Sequence, residues 1–363
     1  MIRTSGPARV FSVISSILLF CAPSFAQKSE NTFRLNDFYF ETRVGYEGAV
    51  VGDSFNKDAS GFRGSWLNMR VDGQIGDRLS YSYRQRFTKG TSRAFFDATD
   101  WIHLDWKATD WLTLSGGKQV VAIGGYEYDR APIDLYYCSE FWNNIACYQM
   151  GVSASFNVSE SDMLLAQVCS TPMRGYIMDE QGNPAGNSKM AFNFMWYGTH
   201  GFYETMWSAN AFQNTRDTWM YYVALGNRFN FTKWLRLDLD FMNRMSAHQG
   251  IFSDWSIMTE LSAAPADGLR VHLKYTWDFN NSDSFEDHLV IAGTDMKSVS
   301  GGVEYSPVKD NRGAVKLFAL AGYSFGDNAN PYGTLIDTGL NFQAGLKFRL
   351  GVLEGIKSLI DRK

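Results

Sequence analysis

The chain has 363 residues, 45% hydrophobic, 15% aromatic and 20% charged, with 33 glycines and a formal charge of −4. Such an apolar, aromatic composition excludes a disordered chain, the glycines keep no collagen period, and the missing basic excess argues against nucleic-acid binding. The length would suit two or three soluble domains, but one β-barrel commonly reaches this size.

Residues 1–26 place Arg3 and Arg9 before an apolar run from Val10 to Ala22, followed by Ser24-Phe25-Ala26. This pattern predicts a secretory signal peptide cut before Gln27. The run is too short for a permanent membrane helix, and bulky Phe20 before Cys21 disfavours a lipid-acceptor cysteine. Loss of two arginines and no acids takes the 34 basic residues to 32 against 38 acidic, a formal charge of −6. No later apolar stretch reaches the ~18 residues of a membrane helix.

From there the chain alternates apolar and polar residues with period two, the β signature. Sixteen strands are predicted, near 37–50, 61–75, 78–88, 99–108, 111–121, 147–157, 161–170, 188–198, 201–213, 217–230, 233–245, 252–262, 268–280, 296–307, 313–326 and 335–350. In the last, Leu340, Phe342, Ala344, Leu346, Phe348 and Leu350 oppose a face of Asn341, Gln343, Gly345, Lys347 and Arg349. Connections alternate between tight turns (76–78, 109–110, 198–201, 230–233, 263–268, 306–313) and mostly longer polar loops (51–60, 89–98, 122–146, 171–187, 281–295, 327–334). Short turns on one rim and long loops on the other predict an all-β class: a transmembrane antiparallel meander barrel over residues 27–350. Aromatics beside the tight turns, Trp106, Trp111, Tyr197, Tyr203 and Trp234, suit the headgroup level. A soluble β protein with an aromatic core is the competing reading. In the tail, 351–363, Val352, Leu353, Ile356, Leu359 and Ile360 share one face of a predicted short helix.

If the apolar faces point outward, the ionised ones line the lumen, and sixteen strands leave room for water. By parity Arg43, Arg70, Arg84 and Arg86 share that inner face, with Arg70 opposite Arg84 across the 76–78 turn and Gln85 a misfit on the lipid side. Opposed like charges destabilise a ladder unless acids or anions intervene, and guanidinium forks suit phosphate or carboxylate oxygens. The four arginines are therefore expected to form an anion-attracting patch; neutralisation by Glu41, Glu47, Asp72 and Asp105 is the alternative. The connection 122–146 is too aromatic for a solvated loop, with Tyr126, Tyr128, Tyr136, Tyr137, Phe141 and Trp142. It is expected to fold into the lumen as the third outer loop and bring Glu127, Asp129, Arg130, Asp134 and Glu140 towards the arginine wall. An external lid packing on itself is the alternative.

Several stretches resemble the phosphate-selective porin O and P family in its Bacteroidetes-type form. They are Tyr-Ser-Tyr-Arg-Gln-Arg-Phe at 81–87, Gly-Gly-Lys-Gln through Gly-Gly-Tyr-Glu-Tyr-Asp-Arg-Ala-Pro at 116–132, and Ser-Glu-Phe-Trp-Asn-Asn at 139–144. The resemblance implies a sixteen-stranded, trimeric porin in the outer membrane of a Gram-negative bacterium, surrounded by lipid, whose inner arginines guide small anionic, phosphate-like solutes. The sequence departs from that pattern where Phe348 is followed by Leu350 and a tail, and in its negative mature charge.

Of the three cysteines after the leader, Cys138 could pair with Cys147 to staple the loop, Cys147 could pair with Cys169, or all could stay free. The histidines, His103, His200, His248, His272 and His288, show no metal-ligand spacing, and no nucleophile elbow, phosphate loop or dinucleotide fingerprint appears. Neither cofactor nor metal is expected. Passive diffusion of anions is the leading function; a lipase-like barrel enzyme and a secreted carbohydrate-binding β protein are its rivals.

Overall fold

The computed structural model describes residues 33–87, 96, 98–173, 189–214, 218–247, 249–283, 286–309, 311, 313–331, 333, 335, 338–353 and 355. The predicted leader (1–26) and the greater part of the predicted tail helix (354 and 356–363) lie outside these residues. Val352 and Leu353 are helical, immediately after the last strand.

Among the described residues sixteen strands of eight or more residues follow one another: β1 Phe33–Val51, β2 Gly61–Ile75, β3 Leu79–Arg86, β4 Thr99–Lys107, β5 Leu112–Val120, β6 Tyr148–Asn157, β7 Asp162–Ser170 and β8 Met190–His200. They continue as β9 Tyr203–Gln213, β10 Trp219–Asn230, β11 Leu235–Ser246, β12 Asp254–Ala266, β13 Leu269–Asn280, β14 Asp295–Tyr305, β15 Val315–Asp327 and β16 Thr338–Gly351. A two-residue strand, Ser54–Phe55, adds to the first loop. Each strand pairs antiparallel with its neighbours, and β1 pairs with β16 from Tyr39↔Gly351 to Val51↔Gly339, so the sheet closes without an edge. Closure is what lets backbone N–H and C=O groups survive in lipid.

Alternation decides which face goes where. In β13, Val271 and Leu273 are exposed while His272, Lys274, Thr276, Asp278 and Asn280 are buried. The same inversion of a soluble protein's pattern holds for Ile102 and Leu104, Met150 and Val152, Phe192 and Phe194, and Leu340 and Phe342, all exposed. A cylinder whose outer surface is apolar and whose inner surface is ionised fits hydrocarbon outside and water inside. Trp111, Phe202, Phe231 and Trp234, more than half exposed, sit beside the tight turns, where amphipathic rings meet headgroups.

Inward polarity is not uniform. Phe212, Met220, Tyr222, Ala224, Met242 and Met258, on β9 to β12, form an apolar cluster with Val121, Ile123, Tyr128, Phe141 and Ile145 of the segment 121–147, and with Leu289 and Val290. Among the described residues this cluster joins the segment 121–147 and residues 289–290 to strands β9 to β12.

Candidate functional site

The second hairpin forms as its turn length predicts: Arg70 stands directly opposite Arg84, Asn68 opposite Arg86 and Asp72 opposite Ser82. The Gln85 misfit has a cause. Between β3 and β4 the register slips from Arg84↔Trp101 to Gln85↔Thr99, a β-bulge that leaves Asp100 without a direct partner across the ladder. Gln85 keeps the face of Tyr83, and its Oε1 accepts from Thr99 Oγ1, directly opposite, at 2.7 Å and from Tyr83 Oη at 2.9 Å. Asp100 becomes the acid between the arginines, 3.4 Å from Arg84 Nε and 2.9 Å from Arg86 Nη2. Arg84 also lies 3.5 Å from Glu41, and Arg70 pairs with Asp72 at 2.7 Å. Trp101 lies beneath both opposed guanidiniums, 5.4 Å from Arg70 and 4.9 Å from Arg84.

The four arginines thus divide. Arg70 and Arg84 border open space. Arg86 is stacked on Trp66 and paired with Asp100. Arg43 is buried, with Nη1 donating to the carbonyls of Ile133 and Leu135 at 3.3 and 2.7 Å and its guanidinium over the Tyr136 ring; it holds a loop. Of the acids expected to neutralise the wall, Glu41 and Asp72 do so, while Glu47 accepts from Ser65 and Asp105 faces His103. Sequence reasoning missed Asp100, because the bulge breaks parity. It also missed Lys316, Lys347 and Arg349, which border the same space. For Lys347 and Arg349 the signal was present in the polar face of the last strand, and closure of β16 onto β1 sets Lys347 directly opposite Arg43.

The segment 121–147 is short pieces held by long-range bonds. At Gly124 and Gly125 the backbone passes so close to β9 and β10 that a Cβ on Gly124 would lie 2.4 Å from the Met206 carbonyl oxygen. Gly125 has φ of 115°, a conformation suited to glycine. Asn210 Nδ2 donates to the Ala122 carbonyl, Gly124 N to Ser208 Oγ and Glu127 N to an Asp240 oxygen, at 2.7, 2.8 and 2.8 Å. Helix α1, Tyr126–Asp129, is followed by a one-turn 3-10 helix, Pro132–Asp134, and helix α2, Glu140–Asn144. Helix α2 is capped by Ser139, whose hydroxyl accepts from Trp142 N, and Glu140 N donates to Asp278 at 2.7 Å.

The predicted loop charges go to different walls. Arg130 reaches Glu260 at 2.6 Å and Asp238 at 3.1 Å, acids directly opposed on β11 and β12. Glu127 accepts from Ser139 and pairs with Lys274 at 2.5 Å. Glu140 accepts from Asn144 and Asn330. Burial raises the Asp129 carboxyl above its usual range. Asp134 pairs with Lys347 and lies 3.9 Å from Lys316. The Cys138–Cys147 bridge expected as one option is not formed: Cys138, Cys147 and Cys169 are free thiols. Helix α2 stands between the first two and returns Cys147 to the base of the segment, where its carbonyl accepts from Val121 N.

Open space remains beside the segment 121–147, bordered in part by Val121, Ile123 and Tyr128 of the apolar cluster. A cavity of about 430 Å³ is lined by Arg70, Arg84, Trp101, His103, Asp129 and Arg130 among others. Another of about 270 Å³ shares Arg70, Arg84 and Trp101 and adds Lys316, Lys347 and Arg349, with Glu41 and Asp134 its lining acids. Five cations and two acids line the second space, and Asp72, Asp100 and Asp37 pair with Arg70, Arg84 and Arg349 beside it.

The sequence profile of phosphate-selective porin O and P matches residues 38–221. No curated protein matches the chain by sequence. Among solved structures it is similar to an anion-selective porin from Comamonas acidovorans, with TM-score 0.61 and 10% identity, covering 88% of this chain and 100% of that one. The outer-membrane channel DcaP of Acinetobacter baumannii gives TM-score 0.60, 13% identity and coverage of 89% and 99%. A loop-deletion form of OmpT, an outer membrane protein of Vibrio cholerae, gives 0.58, 16%, 88% and 99%. At these identities the likeness is one of fold.

Proposed function

The chain belongs to the phosphate-selective porin O and P family of outer-membrane barrels, and from that premise we propose that it is a diffusion channel with a preference for small anions. The observation that carries the preference is the presence of Arg70, Arg84, Lys316, Lys347 and Arg349 around one open space. In this reading the segment 121–147 lies across the lumen and narrows it. Its apolar side fills the region beside β9 to β12, and solute passes along the cationic side by β2 to β4, β15 and β16. The driving force is the concentration gradient; selectivity is electrostatic focusing combined with limited width. The protein works as a homotrimer, a state supported by a trimeric form among its structural neighbours.

Proteoliposomes carrying the protein, supplied with anionic, neutral and cationic solutes of matched size, test this reading. Fastest entry of the anion is expected. Equal entry of all three would reject the preference, and no entry of any would reject the channel.

A further inference from the structure

One carboxylate of the segment 121–147 faces away from the rest. Glu127 and Arg130 are engaged with β11 to β13, Glu140 accepts from Asn144 and Asn330, and Asp129 lines the 430 Å³ cavity, whereas Asp134, at the end of the 3-10 turn, meets Lys347 of β16 and Lys316 of β15. These lysines stand directly opposite each other in the ladder. Two ammonium groups so placed repel, and a carboxylate between them removes the cost. The backbone beside Asp134 is fixed separately by Arg43, which holds the carbonyls on either side of it. The side chain itself is about a third exposed, at 35%. The pair opens onto the 270 Å³ cavity, whose lining includes the aromatic residues Tyr39 and Trp101.

We propose that Lys316 and Lys347 form an anion subsite in which Asp134 sits as a tethered competitor, and that the solute displacing it is an organic carboxylate. The proposal rests on the channel reading above. Three features set the class. The present occupant is a carboxylate. Ammonium groups are point charges that do not demand the flat fork of an arginine pair. The neighbouring rings would bury a carbon body that inorganic phosphate lacks. A resident competitor also suits transport, since solute must be held weakly enough to leave. The exchange is one of ion pairs alone: solute carboxylate replaces Asp134 on the ammonium groups, and Asp134 turns into the water of the cavity.

The test uses the intact protein in planar bilayers, with succinate and, separately, inorganic phosphate titrated as blockers of the chloride current. Asp134→Asn is expected to tighten succinate block roughly tenfold, about the weight of one charge-assisted contact, with phosphate block changed less than about twofold on the same scale. Adding Lys347→Gln to that variant should return succinate block to wild-type strength or weaker, and Lys347→Gln alone should weaken it. Unchanged succinate block in Asp134→Asn, an equal gain for phosphate, or a gain that survives Lys347→Gln would each overturn the proposal. Wild-type protein that forms no conducting steps would instead overturn the channel reading.

Discussion

Removing the Arg130 guanidinium tests whether the segment 121–147 is pinned by charge. Arg130 makes two charge-assisted contacts, at 2.6 Å to Glu260 and 3.1 Å to Asp238, from a side chain 16% exposed. Orphaning a buried charge costs about 3–5 kcal/mol, but neither acid would be orphaned. Glu260 keeps Arg270 at 2.6 Å, and Asp238 keeps Arg228 at 2.7 Å and Arg236 at 3.5 Å. What is lost is the bridge over two directly opposed carboxylates. Allowing for solvent screening at a partly exposed group, we expect Arg130→Met to cost about 2–3 kcal/mol, one to two net charge-assisted bonds. Urea unfolding of the detergent-folded barrel measures this cost, and the reversal potential should shift away from anions, because one positive charge has gone while both acids remain. Arg130→Met combined with Glu260→Gln should recover part of the stability. A loss below about 0.5 kcal/mol, within the range of ordinary surface substitutions, or an unchanged reversal potential would refute the pinning argument.

Other outcomes follow from the same geometry. Leu273 is 56% exposed in mid-strand; Leu273→Arg should destabilise the barrel in lipid by about 2–4 kcal/mol, and a neutral result would put that face in water. Gly124→Ala has no room against the backbone of β9 and is expected to displace the segment at a cost of about 1–3 kcal/mol, seen as a raised single-channel conductance; unchanged conductance would contradict the close docking. Burial pushes the Cys138 and Cys147 thiols from the ordinary 9.0 up to about 12. The unfolded chain therefore ionises first, and this contribution to stability is whole below pH 9 and lost as pH rises through about 12. At pH 8 a maleimide should label these thiols much faster in urea than in the folded protein, and equal rates would contradict their burial.

The barrel was legible because period-two alternation is imposed by the boundary between lipid and water, and the Arg70–Arg84 register because a three-residue turn leaves one pairing. The site was legible only in part. Parity fails at a bulge, so Asp100 went unseen beside Arg84 and Arg86. Adjacency across the closing seam joins residues some 300 positions apart, so Lys347 and Arg349 were read as a strand face and not as part of the cationic wall. Arg43 satisfied every parity rule yet serves backbone carbonyls, which no spacing discloses. One signal could have been used. The stretch Trp219-Met220-Tyr221-Tyr222-Val223-Ala224-Leu225 does not alternate, and a barrel strand apolar on both faces implies something packed against its inner side.

A closed cylinder, apolar outside and lined by cations along its open side, should conduct anions in preference to cations. The reversal potential of single channels under a potassium chloride gradient measures it most directly. Discrete conductance steps are expected, with a potential on the chloride side of zero that moves towards zero in Arg84→Gln and Lys347→Gln. Absence of steps, or a potential on the potassium side, would contradict it.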